Sequence, residues 1–298
     1  MNAPRWSKAE LSKGTGTRAD KATARRLIIH ADDAGLSSEI DEGIIRALRA
    51  RAVSSASVIA SGPTFESFAL FARCHPQFDV GVHLAVTNYG RESRARLRSV
   101  ADPRLIPDLV DSEGFFRMSW AMTPPPALQV ELELHAQVSR AAAHGIRVSH
   151  LDSHQFALVR NGASIFDAFI RVGRMWGLPI LVGRNWEARW PWLGGVDFVV
   201  SEVLWAGGAV PLEQLESHYD GLLERLPPGL SQLIVHPAVN DQATGNVDIA
   251  PWGSVWRARD LSYLMNPAFG ANLSSRGIEI VDWRDTVALP VHSVRAQS

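Results

Sequence analysis

The sequence predicts an α/β fold, a (β/α)-barrel of the TIM type in distorted or incomplete form, on three observations. Short apolar runs of strand length recur along the chain, amphipathic stretches separate them, and several of the runs end in acidic or histidine residues. Strand–helix alternation over this length argues for a parallel sheet with helical crossovers. Reactive side chains at the ends of separate runs fit a barrel, whose strands deliver their carboxyl ends to one mouth. An open doubly wound sheet is the alternative.

Taken in order, residues 1–25 read as a tail. They mix Lys, Arg, Ser, Thr and Gly without periodic apolar positions, too little apolar surface to offset chain entropy. The stretch lacks the continuous apolar segment of a secretory signal. Residues 26–298 are expected to form a single domain.

The expected strands are Leu27–Ala31, Ala56–Ala60, Val80–Leu84, Ile146–Leu151, Leu178–Val182, Asp197–Val200, Leu233–Val235 and Ile278–Val281. Among the helices, Ser38 with Asp41 three residues on resembles a capping box, and Ile40, Ile44 and Leu48 recur on one face. A second helix, after Pro124–Pro126, is expected to carry Leu128, Leu132 and Val138 inward. A third carries Leu212, Leu215, Leu222 and Leu226 and ends at Pro227 and Pro228. The polar stretch Asn88–Thr123 is a long insertion, and Trp186–Gly195 is a second irregular segment.

Composition sets the surroundings. A formal net charge of −1 provides no field for holding nucleic acid or an anionic membrane. No apolar run is long enough to span a bilayer. Cys74 is the only cysteine, so no intrachain disulfide forms, which suits a reducing, cytoplasmic setting. A small-molecule substrate is expected, and a homodimer is allowed for.

The chemistry gathers at strand ends. The first run leads into Asp32 and Asp33, the third carries His83, the fourth leads through His150 and Asp152 to His154, and the run Leu233–Val235 delivers His236. Residues two apart on a strand share a side, so His150, Asp152 and His154 share a face if extension continues that far. Asp32 and Asp33, being adjacent, point apart in a regular strand and need not share a role. A carboxylate with two imidazoles suits a divalent ion with open positions for water and substrate. Such an ion activates water and polarises a carbonyl, and amide hydrolysis further needs a base and an acid. Of the 10 tryptophans, Trp190 and Trp192 in the irregular segment are the candidates for stacking on a sugar ring.

The segment Ile29-His30-Ala31-Asp32-Asp33-Ala34-Gly35-Leu36-Ser37 resembles the opening motif of the YdjC-like carbohydrate deacetylases, which usually reads N-A-D-D-F-G-L-S. Gly81-Val82-His83-Leu84 is similar to their G-x-H-L element. Ser149-His150-Leu151-Asp152-Ser153-His154-Gln155 is similar to T-H-x-D-x-H-Q/H, and His236-Pro237-Ala238 to H-P-G/A. The four occur in family order between about Arg26 and Asp285. The resemblance implies a barrel, one divalent cation (magnesium or zinc) and removal of an N-acetyl group from an acetamido-sugar or oligosaccharide. It also implies Asp33, His83 and His154 as metal ligands, Asp32 as general base and His236 as acid. His150 and Asp152 either touch the metal themselves or orient a ligand from behind. This chain departs from the motifs in having His30 for Asn, Ala34 for Phe, and Phe156-Ala157-Leu158 where further histidines usually follow; these changes bear on the substrate subsite. A metal-dependent amidohydrolase or isomerase on a non-sugar substrate, or a non-catalytic binding protein on the same scaffold, are the alternatives.

Overall fold

The computed structural model describes residues 24–88, 96–117, 124–194, 196, 200–207, 210–239 and 253–286. Within them lie seven strands: β1 (Arg25–Ala34), β2 (Ser55–Val58), β3 (Asp79–Leu84), β4 (Val148–Ser153), β5 (Glu202–Trp205), β6 (Gly229–Val235) and β7 (Ile278–Ile280). The helices are α1 (Ser38–Ala50), α2 (Phe65–Cys74), α3 (Ala127–Ala143), the single turn α4 (Ala157–Arg160), α5 (Ala163–Trp176), α6 (Leu215–Glu224), α7 (Ser254–Met265) and α8 (Pro267–Ser275).

All strand pairs are parallel, in the order β4-β3-β2-β1-β6-β5, with β7 beside the start of β1. Single parallel bridges carry the ring onward from β4, Leu151 to Ile180 and then Gly183 to Val200, just ahead of β5. The sheet therefore closes as a distorted barrel. The expected strand Leu178–Val182 is reduced to those bridges. Of Asp197–Val200 only Val200 lies within the described residues, and regular pairing starts later, at Glu202. The tail falls outside the described residues up to position 23, and β1 takes in Arg25.

The helices form where their sequences permit, with corrected caps and faces. Ser37, not Ser38, caps α1 by accepting from the Ile40 N–H at 3.4 Å. Asp41 reaches back to accept from the Gly35 N–H at 2.6 Å, fixing the turn that leaves β1. In α3 the buried stripe is Val130, Leu134 and Val138, while Leu128 and Leu132 are 67% and 38% exposed. Polar bonding sets that rotation. Glu133 accepts from the Val100 and Ala101 N–H groups, and Gln137 both donates to and accepts from the Ala85 backbone, so the face carrying them turns inward. In α6 the buried stripe is Leu215, Tyr219 and Leu223, with Leu222 half-buried.

Below the barrel interior, Trp283 is fully buried, donates to Gln232 of β6 at 3.0 Å and stacks on His150 of β4 at 4.8 Å. Arg284 anchors this segment to the Pro76 and Phe78 carbonyls ahead of β3. The interior beneath the strand ends is thus closed off by aromatic packing. Among the described residues, no helix is long and apolar enough to cross a membrane.

Candidate metal centre

Strand alternation turns His30 and Asp32 to one side of β1 and would send Asp33 to the other. Asp33 instead adopts φ 74°, and the β1–β2 register shifts between Ala31 and Ala34. A non-glycine residue in this region is costly and persists where its surroundings enforce it. The consequence is chemical: both carboxylates reach one imidazole. His83 Nε2 lies 3.7 Å from Asp32 Oδ2 and 3.5 Å from Asp33 Oδ1.

His83 is oriented from behind. Its Nδ1 is 2.8 Å from Asp152 Oδ1, and the other oxygen of that carboxylate accepts from Ser57 Oγ at 2.8 Å. A carboxylate on the far nitrogen fixes which ring nitrogen faces a ligand. His154 follows the end of β4, where Gln155 and Phe156, both at φ 54°, turn the chain. Its Nδ1 stands 3.2 Å from Asp33 Oδ1. His150, Asp152 and His154 thus lie in sequence from the barrel interior to its mouth.

Gly81 is required by a close approach. A Cβ there would sit 2.4 Å from His150 Cε1 and 2.5 Å from its Nε2. Because that ring is fully buried against Trp283, it has no room to retreat. Gly81→Ala is expected to destabilise the protein by about 1–3 kcal/mol through overpacking. Urea unfolding measures this, and a neutral effect would mean that the ring moves freely.

His236 leaves β6 with its backbone N–H donating to Asp260 Oδ2 at 2.7 Å, while Tyr219 donates to Oδ1 at 2.7 Å. Its Nε2 is 3.9 Å from Asp32 Oδ2. From α7, Arg257 donates to Asp33 Oδ2 at 2.6 Å. The structure therefore gathers Asp32, Asp33, His83, Asp152, His154 and His236 at the carboxyl ends of β1, β3, β4 and β6. Trp190 is 8% exposed and packs edge-on against Trp186, and Trp192 donates its indole N–H to the Val159 carbonyl at 2.8 Å.

The surroundings separate the charges of neighbouring groups. Burial drives Asp32 up to about 7, with the nearby His83 opposing the rise. Burial would also raise Asp33, but the Arg257 guanidinium and bonds to His154 and His83 hold it well below the usual carboxylate range. Desolvation of the His236 ring, reinforced by Arg257, pushes it down to about 3, so it rests neutral. Desolvation would lower His83, yet Asp152 and Asp32 outweigh it and hold it well above an ordinary histidine.

Asp33, His83 and His154 each offer one donor atom within 4.8 Å of the others, and all three are buried. Ligands about 2.0–2.2 Å from a zinc-sized ion stand about 3–3.5 Å apart. The 3.2 and 3.5 Å separations from Asp33 Oδ1 match, so the residues fit a divalent cation. Because the cation would displace a proton held on His83, affinity is expected to fall with falling pH, by about tenfold per unit. Calorimetric titration of the chelator-treated protein in buffers of different ionisation enthalpy measures the released proton. Affinity independent of pH, with no proton released, would remove His83 from the ligand set.

Residues 26–275 match the family model described as YdjC-like protein. The chain belongs to the YdjC-like family. A carbohydrate deacetylase from Geobacillus stearothermophilus is 28% identical over 265 residues, covering 88% of this chain and 98% of the relative. One from Brevibacillus brevis is 31% identical over 174 residues, covering 58% of this chain and 62% of that one. A solved structure from Enterococcus faecalis, of a protein named for cellobiose-phosphate cleavage, has a TM-score of 0.69 at 22% identity. It covers 87% of this chain and 98% of the other, and it supports the fold.

Within this YdjC-like centre, three contributors, Ser57, Arg257 and Asp260, are not among the residues the sequence singles out, and His30, noted only as a departure from the family motif, is a fourth. His30 carried a signal, standing two residues before Asp32 on the same strand. Ser57 carried a weaker one, as a polar residue inside an apolar run. Arg257 and Asp260 carried none, lying more than 200 residues from Asp33 along the chain and reaching the site only because α7, packed on α1 and α6, sets them against Asp33 and His236.

Proposed function

We propose that this YdjC-like protein is a metal-dependent deacetylase that hydrolyses the N-acetyl group of an acetamido-sugar or oligosaccharide. The observation that carries the reading is the Asp33–His83–His154 donor set with a second carboxylate, Asp32, beside it at the mouth of a barrel. Deacetylase relatives matched over most of the chain support the substrate class.

Asp33, His83 and His154 would hold the cation. When bound, a divalent ion supplies Lewis acidity at the amide carbonyl and lowers the pKa of water. Asp32 has no cation-binding task in this scheme and is placed to take the proton of the attacking water. A C–O bond forms to the acetyl carbon, the C–N bond breaks, and acetate and a free amine leave. The amine nitrogen needs a proton, which Asp32 has taken from water. His236 starts neutral, so it receives that proton before delivering it to the amine. Arg257 keeps Asp33 ionised and limits its rotation. Asp152 holds the tautomer of His83.

The test is acetate release from a panel of N-acetylated mono- and oligosaccharides, with chelator and with added magnesium, zinc or cobalt. Acetate that disappears with chelator and returns with metal is the expected result. No acetate from folded, metal-loaded protein across the panel would overturn the reading.

A further inference from the structure

A second group of donors lies deeper in the barrel. His30 and His150 are fully buried and Asp152 is nearly so, and one donor atom from each falls within 4.8 Å of the others. His30 Nε2 is surrounded by oxygen: Asp152 Oδ2 at 3.0 Å, Ser57 Oγ at 3.0 Å and Asp32 Oδ1 at 3.3 Å. One ring nitrogen can carry only one proton, so three oxygens are more than a single N–H uses. The Ser57 hydroxyl proton is itself placed on Asp152.

His150 presents the complementary oddity. Its Nδ1 is occupied by Ser149 Oγ at 2.9 Å, and its Nε2, buried, has no hydrogen-bond partner among the described residues. Leaving a buried polar atom unmatched is costly. The ring is held there deliberately by the fold: Gly81 clears the space and Trp283 supports it from below.

We propose that His30, His150 and Asp152 form a second divalent-cation site beneath the Asp33–His83–His154 set. The 3.0 Å separation of His30 Nε2 from Asp152 Oδ2 is that of neighbouring ligands on one ion of this size. Two imidazoles with one carboxylate select a transition-metal ion such as zinc or cobalt over magnesium or calcium. Asp152 then joins the two levels, one oxygen on the lower ion and the other orienting His83. The lower ion takes up the unmatched nitrogen and one of the crowded oxygens, Asp152 Oδ2, and it stiffens the support of His83.

The experiment is metal stoichiometry of tag-free, full-length protein. Chelator-treated protein is dialysed against Co(II) or Zn(II) alone, with bound metal counted and the Co(II) absorption spectrum recorded. The wild type is expected to hold two equivalents. His30→Asn, and separately His150→Gln, should each hold one, with the folded state checked by circular dichroism. Asp33→Asn should also hold one, retained by the lower set, with a Co(II) spectrum different from that of His30→Asn. Saturation of the wild type at one equivalent would overturn the proposal, as would two equivalents retained in His30→Asn. A single equivalent lost in Asp33→Asn but kept in His30→Asn would leave the upper site standing and remove the lower one.

Discussion

Asp32→Asn is expected to lower kcat by about 10²–10⁴-fold, the usual contribution of a positioned general base. The substitution keeps the shape of the side chain and leaves Asp33, His83 and His154 in place, so bound metal should be unchanged. That contrast separates loss of the base from loss of the ion. The pH profile provides a second readout. Asp32 works as the carboxylate, and burial raises it to about 7. A bound cation shifts it downward, so the acid limb of kcat should lie below about 7, with rate falling as pH drops through it. In Asp32→Asn that limb should vanish. Wild-type turnover in the variant, or an unchanged acid limb, would show that the water proton goes elsewhere.

Arg257→Leu is expected to have the largest effect on stability. Its guanidinium and the Asp33 carboxylate are both buried and stand 2.6 Å apart. Removing one partner of such a pair leaves a charge without compensation and costs about 3–5 kcal/mol. The loss should be full in chelator-treated protein and smaller with metal, since a cation on the same carboxylate replaces part of the lost charge. Urea unfolding with and without zinc measures both. The pH sign follows from Asp33 being held below its ordinary value. In metal-free wild type this stabilisation is present above the unfolded pKa of about 3.9 and fades as pH falls through the lower folded value. Arg257→Leu should flatten that acid dependence. A change of less than about 1 kcal/mol in the metal-free protein would mean that Asp33 finds another compensating group.

Much of the site was legible because a parallel barrel converts a one-dimensional pattern into a place. Once apolar runs are read as strands, residues at their ends share the mouth, which is how Asp32, Asp33, His83, His154 and His236 could be grouped. The period of two also put Asp152 on one face with His150 and His154, and the structure sets it behind His83. The reading of Asp32 and Asp33 as pointing apart held only for a regular strand; the positive φ at Asp33 overrides it, and both carboxylates face His83. Helix faces were less legible. Leu128 and Leu132 lost to Val130 and Leu134 because Glu133 and Gln137 had backbone partners waiting inside, and no apolar count registers a buried polar bond.

By itself, then, the sequence determined the alternation of strand and helix, the ends at which chemistry collects and the donor types available there, since these depend on local pattern alone. The tertiary structure decided which donors share an ion's radius, which carboxylate rests ionised and which is driven up, and where the barrel ring thins to single bridges. Those outcomes depend on groups such as Arg257 and Asp260 that only packing brings near the site. Charge and desolvation act through space over a few ångströms, whatever the separation along the chain.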